Sequence, residues 1–78
     1  MKRLPPLHAL RAFDASVRTG SFTRAGDALH VTQGAISRQI KQLEEWLGKP
    51  VFVRHYQGLI LTSAGSVLAQ SLEAAFGT

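Results

Sequence analysis

Apolar residues recur at helical spacing along most of this chain, and the pattern changes character once, after Gly48. Between Thr32 and Leu47, residues Ile36, Ile40, Leu43 and Leu47 stand at i, i+4, i+7 and i+11. At about 100° per residue that spacing gathers them into one narrow buried stripe of a helix. The opposite face is small, polar and basic: Gly34, Ser37, Arg38 and Lys41 point away from the stripe, and Gln33 sits on the first turn. Thr32 suits the N-cap, because its hydroxyl can accept from the backbone N–H of Gly34 or Ala35. Gly48 suits the stop. Upstream, Ser21 can cap a short helix from Phe22 to about Leu29 with Phe22, Ala25, Ala28 and Leu29 on its apolar side. Leu29-His30-Val31 leaves room only for a tight turn, with His30 a turn or cap residue, so the two helices read as a helix-turn-helix.

The first helix is predicted from about Pro6 to Thr19. Leu7, Leu10, Phe13 and Val17 follow helical spacing, and Ala9, Ala12 and Ala15 permit close approach of neighbours. Pro5-Pro6 makes an extended lead-in, and Pro6 fits the first helical position, where its missing N–H would be unpaired anyway. Gly20 ends this helix, whose job is to brace the segment 32–47; Arg11 or Arg18 touching a phosphate is the alternative. Within the second helix Gly26 should cost roughly 1 kcal/mol of helicity relative to alanine. After Gly48, Val51-Phe52-Val53 and Leu59-Ile60-Leu61 flank Arg54-His55-Tyr56-Gln57-Gly58, which reads as a short two-stranded wing anchored by Phe52 and Leu61. His55 and Tyr56 fall at its exposed tip. Thr62 can cap a last helix, Ser63 to about Phe76, whose Ala64, Val67, Leu68, Ser71, Leu72 and Ala75 cover a wide arc. An arc that wide calls for two partners: one side packs on the domain, and the other, through Leu68, Leu72 and Phe76, meets the same helix of a second chain. A helix lying wholly on its own domain is the alternative.

Seventy-eight residues allow one domain, and a chain this short buries only about 60 to 65% of the surface its unfolded form exposes. A hydrophobic fraction of 45% with 18% charged residues is that of a folding chain. Nine Lys and Arg against five Asp and Glu give +4, which favours a polyanionic partner without separating nucleic acid from an anionic membrane. With no cysteine and with histidines scattered at 8, 30 and 55, no metal site is expected. Neither a nucleophile elbow nor a glycine-rich phosphate loop is present, so no enzyme and no cofactor is expected. The start lacks a long apolar run after Lys2 and Arg3, so no signal peptide is read, and no window is long and apolar enough for a membrane span. Trp46, at the edge of the apolar stripe, belongs to the core rim or to an interface.

The face of helix 33–47 carries the chemistry of a groove reader. Arg38 can fork onto guanine O6 and N7, Gln33 can pair with adenine N6 and N7, Ser37 can take either role, and Gly34 keeps the helix close to the bases. Lys41, one turn on, suits a phosphate. The runs Ser21-Phe22-Thr23-Arg24-Ala25 and Val31-Thr32-Gln33-Gly34-Ala35-Ile36-Ser37-Arg38-Gln39-Ile40-Lys41-Gln42-Leu43-Glu44, then Phe52, Arg54, Leu61-Thr62 and Ala64-Gly65, span nearly the whole chain. In this order and spacing they resemble the N-terminal domain of LysR-type transcriptional regulators. Leu4-Pro5-Pro6-Leu7 followed by Ala9-Leu10-Arg11-Ala12-Phe13 further resembles the branch containing glycine-cleavage activators and β-lactamase regulators.

The resemblance implies a mainly α fold: a winged helix-turn-helix over residues 1–61, with a short two-stranded wing, and a linker and dimerisation helix over 62–78. It implies a homodimer on double-stranded operator DNA with inverted half-sites. Gln33, Gly34, Ser37 and Arg38 would read bases, and Thr32, Lys41, Arg54 and Arg24 would meet the backbone or the minor groove, although Arg24 reads equally well as solvated surface. The sequence departs from the family at Ala25-Gly26, where relatives usually carry two alanines, and at Gln57, where many carry a second basic wing residue. Relatives continue past Gly77-Thr78 into an effector-binding domain, so the chain is expected to be a DNA-binding fragment or a truncated product in which small-molecule sensing is absent, cytoplasmic and nucleoid-associated in a bacterium. A reading from another class takes the helix-turn-helix as a packing motif and the last helix as a protein-interaction surface. A partner-binding face on helix 33–47 would need apolar anchors, and Gly34, Ser37, Arg38 and Lys41 supply none.

Overall fold

The computed structural model describes residues 6–76, the side chain of Phe76 excepted. The chain runs α1 (Leu7–Thr19), α2 (Phe22–Leu29), α3 (Gln33–Leu47), β1 (Phe52–His55), β2 (Gly58–Leu61) and α4 (Ser63–Phe76), a mainly helical winged helix-turn-helix. Pro5 of the expected lead-in, Gly77-Thr78 and the side chain of Phe76, assigned to a second chain, lie outside the described residues. Helix α1 packs across α2 and α3, while α4 lies against α1 and β2. The interior is built from Phe13, Ile36, Leu43 and Val51, each fully buried, with Ala9, Ala12 and Ala25 letting the helix backbones close in. Ser16, also buried, donates its hydroxyl to the Ala12 carbonyl at 2.7 Å, so its polar atom is satisfied within α1.

Capping follows local chemistry. The Ser21 hydroxyl accepts from the Arg24 N–H at 3.2 Å, and the Thr32 hydroxyl accepts from the Ala35 N–H at 3.0 Å. Gly20 and Gly48 close α1 and α3 in the left-handed region, and His30 does the same for α2 at φ 61°. Pro6 differs from the expectation. With ψ at 130° it is the N-cap and not the first helical residue, because its carbonyl already accepts from the N–H groups of Ala9 and Leu10.

The apolar side of α2 is also corrected, since Ala28 is exposed and Gly26 is buried. Phe22, Ala25, Gly26 and Leu29 follow the i, i+3, i+4, i+7 rule, and Ala28 falls roughly a third of a turn outside it. A Cβ on Gly26 would stand 2.7 Å from the Val31 carbonyl oxygen, so the missing side chain lets the turn into α3 close on α2.

The wing is longer than its sequence signal. β1 and β2 pair antiparallel with Phe52 opposite Leu61 and His55 opposite Gly58, leaving Tyr56 and Gln57 as the turn. Arg54 and His55 are therefore strand residues, and Val51 leaves the strand to become core. The His55 and Tyr56 rings lie 4.3 Å apart at the tip.

Leu68 and Leu72, assigned to a second chain, are half-buried and pack on this domain's own core, whereas Val67 is 65% exposed. The helix enters the domain with its first turn pulled onto Pro50 and Val51 through Thr62, which rolls Leu68 and Leu72 inward.

Candidate nucleic-acid interface

An open groove runs between the exposed face of α3 and the wing. Gln33, Gly34, Ser37, Arg38 and Lys41 line it from α3, and Arg54 lines it from β1. One helix face and one strand thus bring together the four residues expected to read bases and two of those expected to meet the backbone. Thr32 and Arg24 stand outside the groove: the Thr32 hydroxyl is engaged as the α3 cap, and Arg24 is exposed on α2. Arg11 and Arg18 line a different groove, between α1 and α4, and Arg18 is paired with Asp14 at 2.9 Å.

The α3 face forms because the stripe Ile36, Ile40 and Leu43 is drawn fully inward, which fixes the rotation of the helix. Gly34, Ser37, Arg38 and Lys41, about 100° to 160° from Ile36, then point outward, and Gln33 follows them from the first turn. Gln33, Gly34, Arg38 and Lys41 are exposed, and Ser37 is half-buried. The two-fold period of β1 puts Phe52 and Arg54 on the same side of the wing. Phe52 stacks on Phe13 with ring centroids 5.3 Å apart and meets Phe22 edge-on at 5.8 Å. Arg54 lies beyond it, its Cζ 4.9 Å above the Phe22 ring. Among the described residues no carboxylate forms a salt bridge with Arg38, Lys41 or Arg54, so the groove presents three cations outside any ion pair against the single carboxylate of Glu44, an arrangement that leaves net positive potential facing an anionic ligand.

Two parts of this site carried no assignment in the sequence reading. Phe22 and Phe52 form part of the groove lining, and only helical and strand periods marked them, as core. Glu44 is the acidic member of the groove. Its Oε2 accepts from the Val51 N–H at 2.8 Å and ties the end of α3 to the start of the wing. Glu44→Ala removes that acceptor from a fully buried residue's N–H and is expected to cost about 1 to 3 kcal/mol. In urea unfolding this appears as a lower midpoint with an unchanged slope, and Glu44→Gln recovers most of it through the amide oxygen. An unaltered midpoint in the alanine variant would remove the latch from the account.

Comparison with known proteins follows the same geometry. A family model described as bacterial regulatory helix-turn-helix protein, lysR family, matches residues 7–66. The chain is similar to the glycine cleavage system transcriptional activator of Escherichia coli strain K12, with 58% identity over 64 residues, 82% of this chain and 21% of that protein. It is also similar to the HTH-type transcriptional activator AmpR of Providencia stuartii, 54% identical over 71 residues, 91% of this chain and 24% of that one. The chain therefore spans about a fifth to a quarter of the length of these relatives. Among solved structures, the BenM DBD/catB site 1 DNA complex superimposes with a TM-score of 0.85 at 36% identity, covering 92% of this chain and 81% of that one.

Proposed function

This chain belongs to the lysR family of bacterial regulatory helix-turn-helix proteins, and on that premise we propose that it binds duplex DNA sequence-specifically, as the DNA-binding part of a transcriptional regulator. The observation that carries the proposal is the shared groove, in which the exposed face of α3 and Arg54 of the wing converge with no salt bridge to their cations among the described residues. Support comes from the structural neighbour that holds DNA. In this reading α3 enters the major groove with Gln33, Gly34, Ser37 and Arg38 toward base edges. Lys41, Arg54, Arg24 and the Thr32 end of α3 lie along the backbone or the minor groove. Two copies bind together through Leu68, Leu72 and Phe76 of α4; Leu68 and Leu72 stay half-exposed on the domain, with the exposed Val67 beside them. They occupy inverted half-sites about 34 Å apart or a multiple of it. A small-molecule effector would act only through a domain outside this chain, and the working compartment is the bacterial cytoplasm. No helix among the described residues is long and apolar enough to cross a membrane.

Selection of bound duplexes from a random pool tests the whole proposal, because it yields the operator directly. Footprinting on the selected sequence should show two inverted half-sites; a single asymmetric half-site contradicts the dimer. Arg38→Ala should then cost roughly 1 to 3 kcal/mol and relax preference at one base pair, whereas Lys41→Ala weakens all sequences alike. Competition with single-base operator variants separates the two, and identical profiles would remove Arg38 from base reading.

A further inference from the structure

Resting on the duplex-DNA reading above, we propose that Phe22 is a positioning residue for Arg54. The face of its ring holds the guanidinium at the mouth of the groove, beside the first turn of α3, where the anionic surface of the DNA arrives.

Phe22 opens α2 and is 8% exposed. It meets Phe52 at 76° between ring planes, and Phe52 rests in turn on the fully buried Phe13. The ring is therefore fixed by a stack rooted in the core. Arg54 Cζ at 4.9 Å from the Phe22 centroid lies within the roughly 6 Å over which an aromatic face attracts a cation. Two adjoining grooves share Phe22, Gln33 and Arg54 in their walls, so the held cation sits next to the residue that starts α3.

The choice of holder matters. A carboxylate would fix an arginine equally well but would neutralise it and occupy its donors. An aromatic face restricts the side chain's freedom while leaving the charge and the guanidinium N–H groups directed outward. Without the ring, the long side chain must be ordered at the moment of binding, at the expense of affinity.

The test is a double-mutant cycle on the selected operator, with melting curves establishing that each variant is folded. Phe22→Leu should weaken binding by about 3- to 10-fold, in line with the strength of a cation over an aromatic face. Phe22→Tyr, which keeps the face, should stay close to the parent. In an Arg54→Ala background Phe22→Leu should cause no further loss, because the cation it positions is gone. An equal loss in both backgrounds makes Phe22 merely structural and overturns the proposal. A second measurement does not depend on the leucine variant folding: in the unaltered chain the Arg54 δ-methylene protons should resonate upfield of an exposed arginine through the ring current of Phe22. Ordinary positions for those protons overturn the proposal as well. Failure of the unaltered chain to bind any duplex would instead sink the DNA reading, while an upfield Arg54 resonance would still place the guanidinium on the ring.

Discussion

Gly65→Ala melts about 5 to 20 °C below the parent chain, even though it exchanges glycine for the best helix former. Gly65 lies in the first turn of α4 and is buried. A Cβ there would be driven into the Val51 carbonyl oxygen and would stand 2.9 Å from Leu61 Cδ2. The leucine tip can swing aside; the carbonyl cannot. It accepts from the Thr62 N–H at 3.0 Å, and the N–H of the same residue is held by Glu44 at 2.8 Å. Relief requires α4 to lift from the wing or the Thr62 bond to break. Forced overpacking of this kind costs typically 1 to 3 kcal/mol, and the lost hydrogen bond about 1 more. The gain in helix propensity returns only about 1 kcal/mol, so the net loss is about 1 to 3 kcal/mol. In a domain this small each kcal/mol shifts the melting temperature by about 4 to 8 °C.

Gly34 is the internal control. It too lies in the first turn of a helix, but a Cβ there meets nothing closer than the Thr32 hydroxyl at 3.9 Å. Gly34→Ala should gain about 0.4 to 1 kcal/mol by restricting the unfolded chain, while crowding the face that approaches the bases. A calorimetric scan reads both variants, and shifts of the same sign at positions 34 and 65 would refute the packing account.

These two glycines also mark what a sequence can reveal. Features decided within one helical turn were legible. The hydroxyls of Ser21, Thr32 and Thr62 each accept from the N–H three residues on, and the i, i+4 spacing of Ile36 and Ile40 set which side of α3 faces out. The groove face of α3 follows from that rotation alone. Features decided by contacts between distant segments were not legible. Thr62 donates to the Pro50 carbonyl at 2.6 Å as well as capping α4, and this second bond draws the helix inward. As a result Leu68 and Leu72 pack on their own domain although their spacing also suits a second chain. Glu44 lies in a polar stretch of helix, and nothing local pairs it with the N–H seven residues later. The Phe22–Arg54 contact joins α2 to β1 across the fold, so periodicity marked Phe22 as core without showing what covers it. Ala28 misleads in a different way: it is apolar, yet the helical angle puts it outside the buried side, where it is exposed.

Affinity for the selected operator falls about a thousandfold between 50 and 200 mM salt, a slope of log K against log salt of about −5. The figure comes from the charges in and near the groove. Arg54 and Lys41 stand in it without salt-bridge partners among the described residues, and Arg24 is exposed on the neighbouring helix. If each meets one phosphate, three counterions are released per subunit and six per pair of copies, each worth about 0.9 in the slope. Arg38 is not counted, because a guanidinium forked onto guanine releases no phosphate counterion of its own. Lys41→Ala should therefore flatten the slope by about 2 in a dimer, and Arg38→Ala should leave it nearly unchanged while lowering affinity. Fluorescence anisotropy across a salt series measures both. A slope near zero would mean that these cations meet solvent in the complex, and a slope halved in the unaltered chain would mean that a single copy binds.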